Sequence, residues 1–182
     1  MSSSAPSGSL WETIAREAEG ESPLWLAALR PRQEREALPV FSPLGAERFA
    51  LGLETIYEGY LLHYGRPRLF APEDGDTAIL LGDYLYAHGL VRVASLGEVD
   101  VVAALAELLS LCAQLRAEGR EGDGAAWAAT VALLGGGNGR LERPRAALRE
   151  SGDPEPLLRT AEEAAGTDAV GRSLALHADR VE

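Results

Sequence analysis

Apolar residues return along this chain at helical intervals, and no stretch shows the alternation of a strand. Phe49, Leu53, Ile56 and Tyr60 fall at i, i+4, i+7 and i+11, one stripe on a long helix predicted from about Pro43 to Tyr64. Gly65 and Pro67 stop it. After a loop from Arg66 to Gly75, a second long helix is predicted over roughly Asp76 to Ser95, ended by Gly97. A third runs from about Val99 to Glu118. There Val101, Leu105, Leu108, Cys112 and Leu115 advance by steps of four and three, the spacing of a buried seam. Ala125 to Leu134 forms a shorter apolar helix, closed by Gly135, Gly136 and Gly137.

The flanks are less regular. Ser2 to Ser9 is rich in Ser, Gly and Pro and is expected to be disordered. A short helix is predicted over Leu10 to Glu19, with Ser9 as N-cap and Glu12 at the capping-box position. Ser22 is a second cap, with Pro23 at the first helical position ahead of Trp25, and Pro31 ends that piece. Beyond Asn138 large apolar residues thin out. Arg145 to Glu150, Glu155 to Ala165 and Ala169 to Arg180 read as smaller polar helices. The pattern predicts an all-α helical bundle with a core over residues 10–137, a disordered start at 1–9 and a polar helical segment at 138–182 that packs loosely.

Composition agrees with helices, since Ala, Leu, Glu and Arg dominate and lose little freedom in them. The formal net charge of -11 repels phosphate backbones and anionic lipid heads, which argues against nucleic acid and membrane-surface partners. Every basic residue is Arg, which excludes a Lys Schiff base or a phosphate-binding Lys. Cys112 is the single cysteine, so no internal disulfide and no cysteine-based zinc site can form, and it is expected to be a small core residue. No window approaches the roughly 18 apolar residues of a membrane span, and no secretory signal is visible. A cytoplasmic location is expected.

The stretch from Glu54 to Gly97 carries more specific features. Gly65-Arg66-Pro67 forms a G-x-P turn, and Gly82-Asp83-Tyr84-Leu85 a G-D-x-L helix segment downstream. Glu54 and Glu58 lie one turn apart on the preceding helix, so their carboxylates point the same way. Together these features resemble the first aspartate-rich region of trans-isoprenyl diphosphate synthases, the polyprenyl synthetase family. The resemblance spans roughly 90 residues and implies a shortened isoprenoid-synthase bundle. It also implies a possible Mg²⁺ site at Glu54 and Glu58, because hard oxygen ligands suit that ion. Substrate-binding candidates around that position are His63, Arg66, Arg68, Tyr57, Tyr84 and His88.

This chain departs from the family pattern. Thr55 replaces the middle acid, His63 and Tyr64 replace the paired arginines, and no second aspartate-rich helix follows Gly97. A scaffold without acidic clusters on both walls and cations for the leaving phosphates cannot ionise a prenyl substrate. The expectation is therefore a non-catalytic, isoprenoid-synthase-like binding or partner subunit, without a cofactor. It would pair with itself or with an active prenyl synthase through exposed faces of the Asp76 to Glu118 helices. The alternatives are a Mg²⁺-dependent enzyme on allylic or prenyl diphosphates that uses the reduced acidic pair, and a binder of small apolar, prenyl-like ligands. Asp83 is expected to be half-buried and partnered, His177 to be exposed, and Gly135 to Gly139 to be a flexible connector rather than a phosphate loop.

Overall fold

The structure is a computed structural model that describes residues 7–136 and 138–181, so most of the expected disordered start lies outside the described residues. Among the described residues nine α-helices follow in order: α1 (Ser7–Glu21), α2 (Pro23–Ala28), α3 (Ala50–Tyr64), α4 (Gly75–Ala94), α5 (Val99–Ala117), α6 (Asp123–Ala132), α7 (Glu142–Ser151), α8 (Glu155–Ala165) and α9 (Thr167–Val181). Among the described residues there is no strand, only an isolated antiparallel bridge between Leu29 and Phe70. The architecture is an all-α bundle.

Local chemistry sets most boundaries. Ser22 caps α2 by accepting from Leu24 N–H at 3.2 Å, with Pro23 at the first turn. Asp74 caps α4 by accepting from Thr77 N–H at 2.7 Å. Two expectations are corrected. Helix α1 begins at Ser7, so Ser9 lies inside it rather than capping it. Helix α3 begins at Ala50, because the stretch after Pro43 breaks into two short 3₁₀ turns, Ser42–Leu44 and Glu47–Phe49.

Helix α3 is the central element. It separates a large core, built with α5, α6 and the C-terminal helices, from a smaller one holding Trp11, Ile14, Trp25, Leu69 and Phe70. Every residue from Gly52 to Leu62 is buried. Helix α4 lies antiparallel against it at very close range, and paired glycines allow this. A Cβ on Gly59 would sit 2.8 Å from the Gly82 carbonyl oxygen, and one on Gly89 would sit 2.9 Å from that of Gly52. Gly82 of the G-D-x-L segment therefore serves a helix crossing.

The segment after residue 138 is not loosely packed. Leu141, Leu148, Leu157, Ala161 and Val170 belong to the large core. The reason is the neighbour they meet. Helix α6 presents Ala125, Ala126, Ala128 and Ala129, all buried, and so small a surface lets α8 approach with Leu and Ala alone. Arg145 is also buried, donating to the Ala104 carbonyl at 3.2 Å and to Thr130 Oγ1 at 2.9 Å.

Candidate functional site

The acidic pair on α3 does project in one direction, as its spacing predicts, but that direction is inward. Glu54 and Glu58 are 1% and 0% exposed, and Arg68, itself 0% exposed, lies between them. Arg68 Nη1 donates to Glu54 Oε2 at 2.6 Å and Nε to Glu58 Oε2 at 2.9 Å. The remaining oxygens are also occupied. Glu58 Oε1 accepts from the Arg68 and Leu69 backbone N–H groups at 2.8 and 2.7 Å, and Glu54 Oε1 from that of Ser42 at 3.4 Å. The guanidinium also reaches the Leu38 carbonyl at 2.8 Å and lies 4.5 Å from the Trp11 ring centroid. Burial alone would weaken the charge on Arg68, but the two carboxylates outweigh it and hold its pKa above the ordinary value.

This corrects the reading of Glu54 and Glu58 as metal ligands and of Arg68 as a substrate-binding group. The carboxylate oxygens that would hold Mg²⁺ are taken up by a cation and by backbone donors, so these residues as placed do not fit the ion. Among the described residues, no group of three or more His, Cys, Asp or Glu side chains could hold a metal.

The other candidates do not converge. Tyr57 adjoins the buried charges, 5.1 Å from the Arg68 guanidinium, and its ring packs against Phe41 and Trp127. His63 stacks on Tyr86 at 5.0 Å and places Nε2 3.2 Å from Asp83 Oδ1. The Asp83 side chain is 66% exposed rather than half-buried. Arg66 lies on the surface, paired with Asp179 at 2.8 Å. Tyr84 and His88 face the first helices: Tyr84 lies against Trp25, and His88 Nε2 is 2.8 Å from Glu17 Oε2. Arg92 pairs with the same Glu17 oxygen. His63 and Arg66 line one open surface cleft with Tyr64, Asp179 and Arg180, while Tyr57, Tyr84 and His88 lie on other sides of the α3–α4 pair.

A different cluster does converge. The C-terminal end of α5 brings Arg116, the first turn of α6 brings Asp123, α9 brings His177, and α3 brings Tyr57 and Tyr60. Tyr57 Oη shares a hydrogen bond of 2.8 Å with His177 Nδ1. Asp123 Oδ2 accepts from both Tyr60 and Arg116, and Arg116 Nε donates to Tyr60 Oη at 3.1 Å. His177 Nε2 lies 3.4 Å from Asp123 Oδ2, within ion-pair reach but out of line for a hydrogen bond. Burial pushes the Asp123 carboxyl up, but the adjacent His177 ring, the Tyr60 hydrogen bond and the Arg116 charge outweigh it, so its pKa falls below the ordinary value. Burial raises the Tyr57 and Tyr60 hydroxyls well above theirs, so both stay protonated.

This cluster opens on a cleft of about 490 Å³, lined in part by Arg116, Arg120, Asp123, His177, Ala178 and Val181. His177, expected at the surface, is only 4% exposed. Gly124 admits its ring, since a Cβ there would sit 2.9 Å from His177 Cδ2. Sequence reasoning missed the cluster because its members come from four helices and up to 120 positions apart.

The surface holds a second feature. Ile79, Leu80, Val91, Leu96 and Val99 are between 44% and 78% exposed, and all lie on α4 or at its junction with α5. Leu80, Ala87 and Val91 share one face of α4 by their spacing. No described helix is long and apolar enough to cross a membrane. Comparison with known proteins finds no matching protein family, no matching curated protein and no matching solved structure.

Proposed function

We propose that the protein is a non-catalytic, isoprenoid-synthase-like partner subunit of the cytoplasm, which pairs through the outer face of α4. The observation that carries this reading is the row of exposed apolar side chains at Ile79, Leu80, Val91, Leu96 and Val99. Single exposed hydrophobic residues are ordinary, but a grouped set on one helix and its junction marks an association surface. Large exposed apolar residues elsewhere among the described residues are confined to Leu24, Leu26 and Leu38.

Two further observations support a scaffold over a catalyst. The carboxylates that the resemblance assigns to Mg²⁺ are both ion-paired with Arg68 in the interior. The space beside them is filled by the rings of Phe41, Tyr57, Tyr60 and Trp127, leaving no room there for a prenyl chain. The occupant we favour is a second copy of this chain. Leu80, Ala87, Val91 and Ala94 leave this face mostly uncharged, with Asp83 the exposed carboxylate among them, so two strongly acidic molecules can meet there with few carboxylates opposed.

Light scattering coupled to gel filtration tests this. A dimer is expected for the wild-type chain, and a monomer for Leu80→Glu and Val91→Glu, with helical content unchanged in each. Co-expression with an active trans-prenyl synthase tests the alternative partner. A wild-type chain that stays monomeric and does not co-purify with the synthase would refute the proposal.

A further inference from the structure

We propose that pairing through α4 is controlled by pH: protonated His63 pairs with Asp83, the carboxylate within the contact face, and strengthens the association of two copies. The inference rests on the partner reading above and adds its regulation, and the experiment below separates the two.

Asp83 is out of keeping with its face. Leu80, Asp83, Ala87, Val91 and Ala94 advance along α4 by steps of three and four, so they lie on one side of the helix. Its four companions are apolar, whereas the Asp83 side chain ends in a carboxylate and is 66% exposed. A symmetric contact between two copies sets this carboxylate against apolar groups or against its own image. Either position strips water from it, and a desolvated carboxylate needs a cation.

The cation within reach is His63. Its Nε2 lies 3.2 Å from Asp83 Oδ1, and among the described residues no arginine comes within ion-pair distance of that carboxylate. Arg66 and Arg180 share the open cleft beside His63, but they are paired with Asp179 and Glu36. Gly82 makes the approach possible, since a Cβ there would sit 2.6 Å from His63 Nε2. Tyr86 of α4 stacks on the ring at 5.0 Å, and Tyr64 of α3 lies against it at 5.6 Å. Burial raises both of these tyrosine hydroxyls, so neither changes charge near neutral pH. Nε2 is covered and makes no aligned hydrogen bond, so it serves no outside ligand. The side chain keeps 13% of its surface open, which gives the ring exchange of protons with water.

Histidine is the side chain that ordinarily changes charge between about pH 5 and 8. Removing water from Asp83 makes a positive neighbour more favourable in the dimer than in the free chain. The dimer therefore holds the His63 proton more tightly, and by reciprocity the proton tightens the dimer. Affinity rises as pH falls. The other two histidines lie elsewhere: His88 meets Glu17, and His177 meets Tyr57 and Asp123 in the interior.

Dissociation constants of the full chain by sedimentation equilibrium at pH 6, 7 and 8, at constant ionic strength, test this on the wild type, Asp83→Asn and His63→Gln. The wild-type Kd is expected to tighten by about tenfold from pH 8 to pH 6. Asp83→Asn should pair tightly at each pH and His63→Gln weakly at each, with helical content unchanged by circular dichroism. Dilution calorimetry in buffers of different ionisation heat should show proton uptake on pairing at pH 7, absent from Asp83→Asn. A dimer whose Kd is flat with pH, or whose pH response survives in Asp83→Asn or His63→Gln, overturns the pH control and leaves the pairing of two copies in place. Wild type and Asp83→Asn that both stay monomeric at every pH overturn the self-pairing and its control together.

Discussion

Replacing Arg68 by Met tests the central electrostatic claim, because it removes the cation and keeps most of the stem. Four acceptors lose a donor: Glu54 Oε2 at 2.6 Å, Glu58 Oε2 at 2.9 Å, and the Leu38 and Glu54 carbonyls at 2.8 and 3.3 Å. Both carboxylates are essentially inaccessible, so water cannot replace the guanidinium. Breaking a buried pair from one side costs about 3–5 kcal/mol. For a chain of this size that lowers Tm by about 6–20 °C. The neutral triple variant, Arg68→Met with Glu54→Gln and Glu58→Gln, leaves no charge in this cluster and should regain most of the loss, because the three residues act as a unit. Urea unfolding followed by far-ultraviolet circular dichroism, on the wild type, the single variant, the double Gln variant and the triple, measures both terms. The reasoning fails if Arg68→Met costs less than about 1 kcal/mol, the figure for a solvated pair, or if the triple variant is as unstable as the sum of its parts. A Mg²⁺-dependent rise in Tm of the wild type that the double Gln variant lacks would return the acidic pair to metal binding.

Gly89→Ala places a methyl group 2.5 Å from Ile56 Cγ1 and 2.9 Å from the Gly52 carbonyl oxygen. It should force α3 and α4 apart at a cost of about 1–3 kcal/mol in urea unfolding, and an unchanged midpoint would refute the close crossing. The pKa of Asp123 is depressed in the folded state, so its carboxylate stabilises the fold above its unfolded pKa of about 4 and ceases to do so as pH falls through the folded value. The Tm gap between wild type and Asp123→Asn should therefore narrow on acidification below about pH 4, and a gap constant into acid would contradict the cause assigned. Burial pushes the Cys112 thiol well above its ordinary pKa. It should resist DTNB in the native state and react only on unfolding, whereas rapid native labelling would place it at the surface.

The fold was legible where one face of a helix is apolar. Leu105, Leu108, Cys112 and Leu115 of α5 are buried as their spacing predicts. The hydrophobic pattern fades where burial is carried by small residues. Ala161 in α8, and Ala126 and Ala129 in α6, give little hydrophobic signal, yet all are 0% exposed. The inward direction of Glu54 and Glu58 did have a signal. Between Gly52 and Leu62 the polar groups are Glu54, Thr55, Glu58 and the tyrosine hydroxyls, and glycines mark a second crowded face. A helix with no polar side has no solvent to offer an acid, so such an acid needs a cation from elsewhere in the chain. Arg68, ten positions beyond Glu58, was within reach of that argument. His177 was not. Its partners Tyr57 and Asp123 lie on other helices, and only the tertiary fold brings them together.

The pinning of α9 bears on how the chain reaches this arrangement. Arg180 Nη2 lies 2.5 Å from Glu36 Oε2 across 144 positions, and its carbonyl accepts from the Arg66 backbone N–H at 2.8 Å. The α3–α4 hairpin needs only a short loop to close and can assemble early, whereas α9 must diffuse back across most of the sequence. Until it docks, one flank of α3 stays open to solvent. Slow, late closure of that flank would make the incompletely folded chain, rather than the finished one, the species most exposed to proteases and self-association.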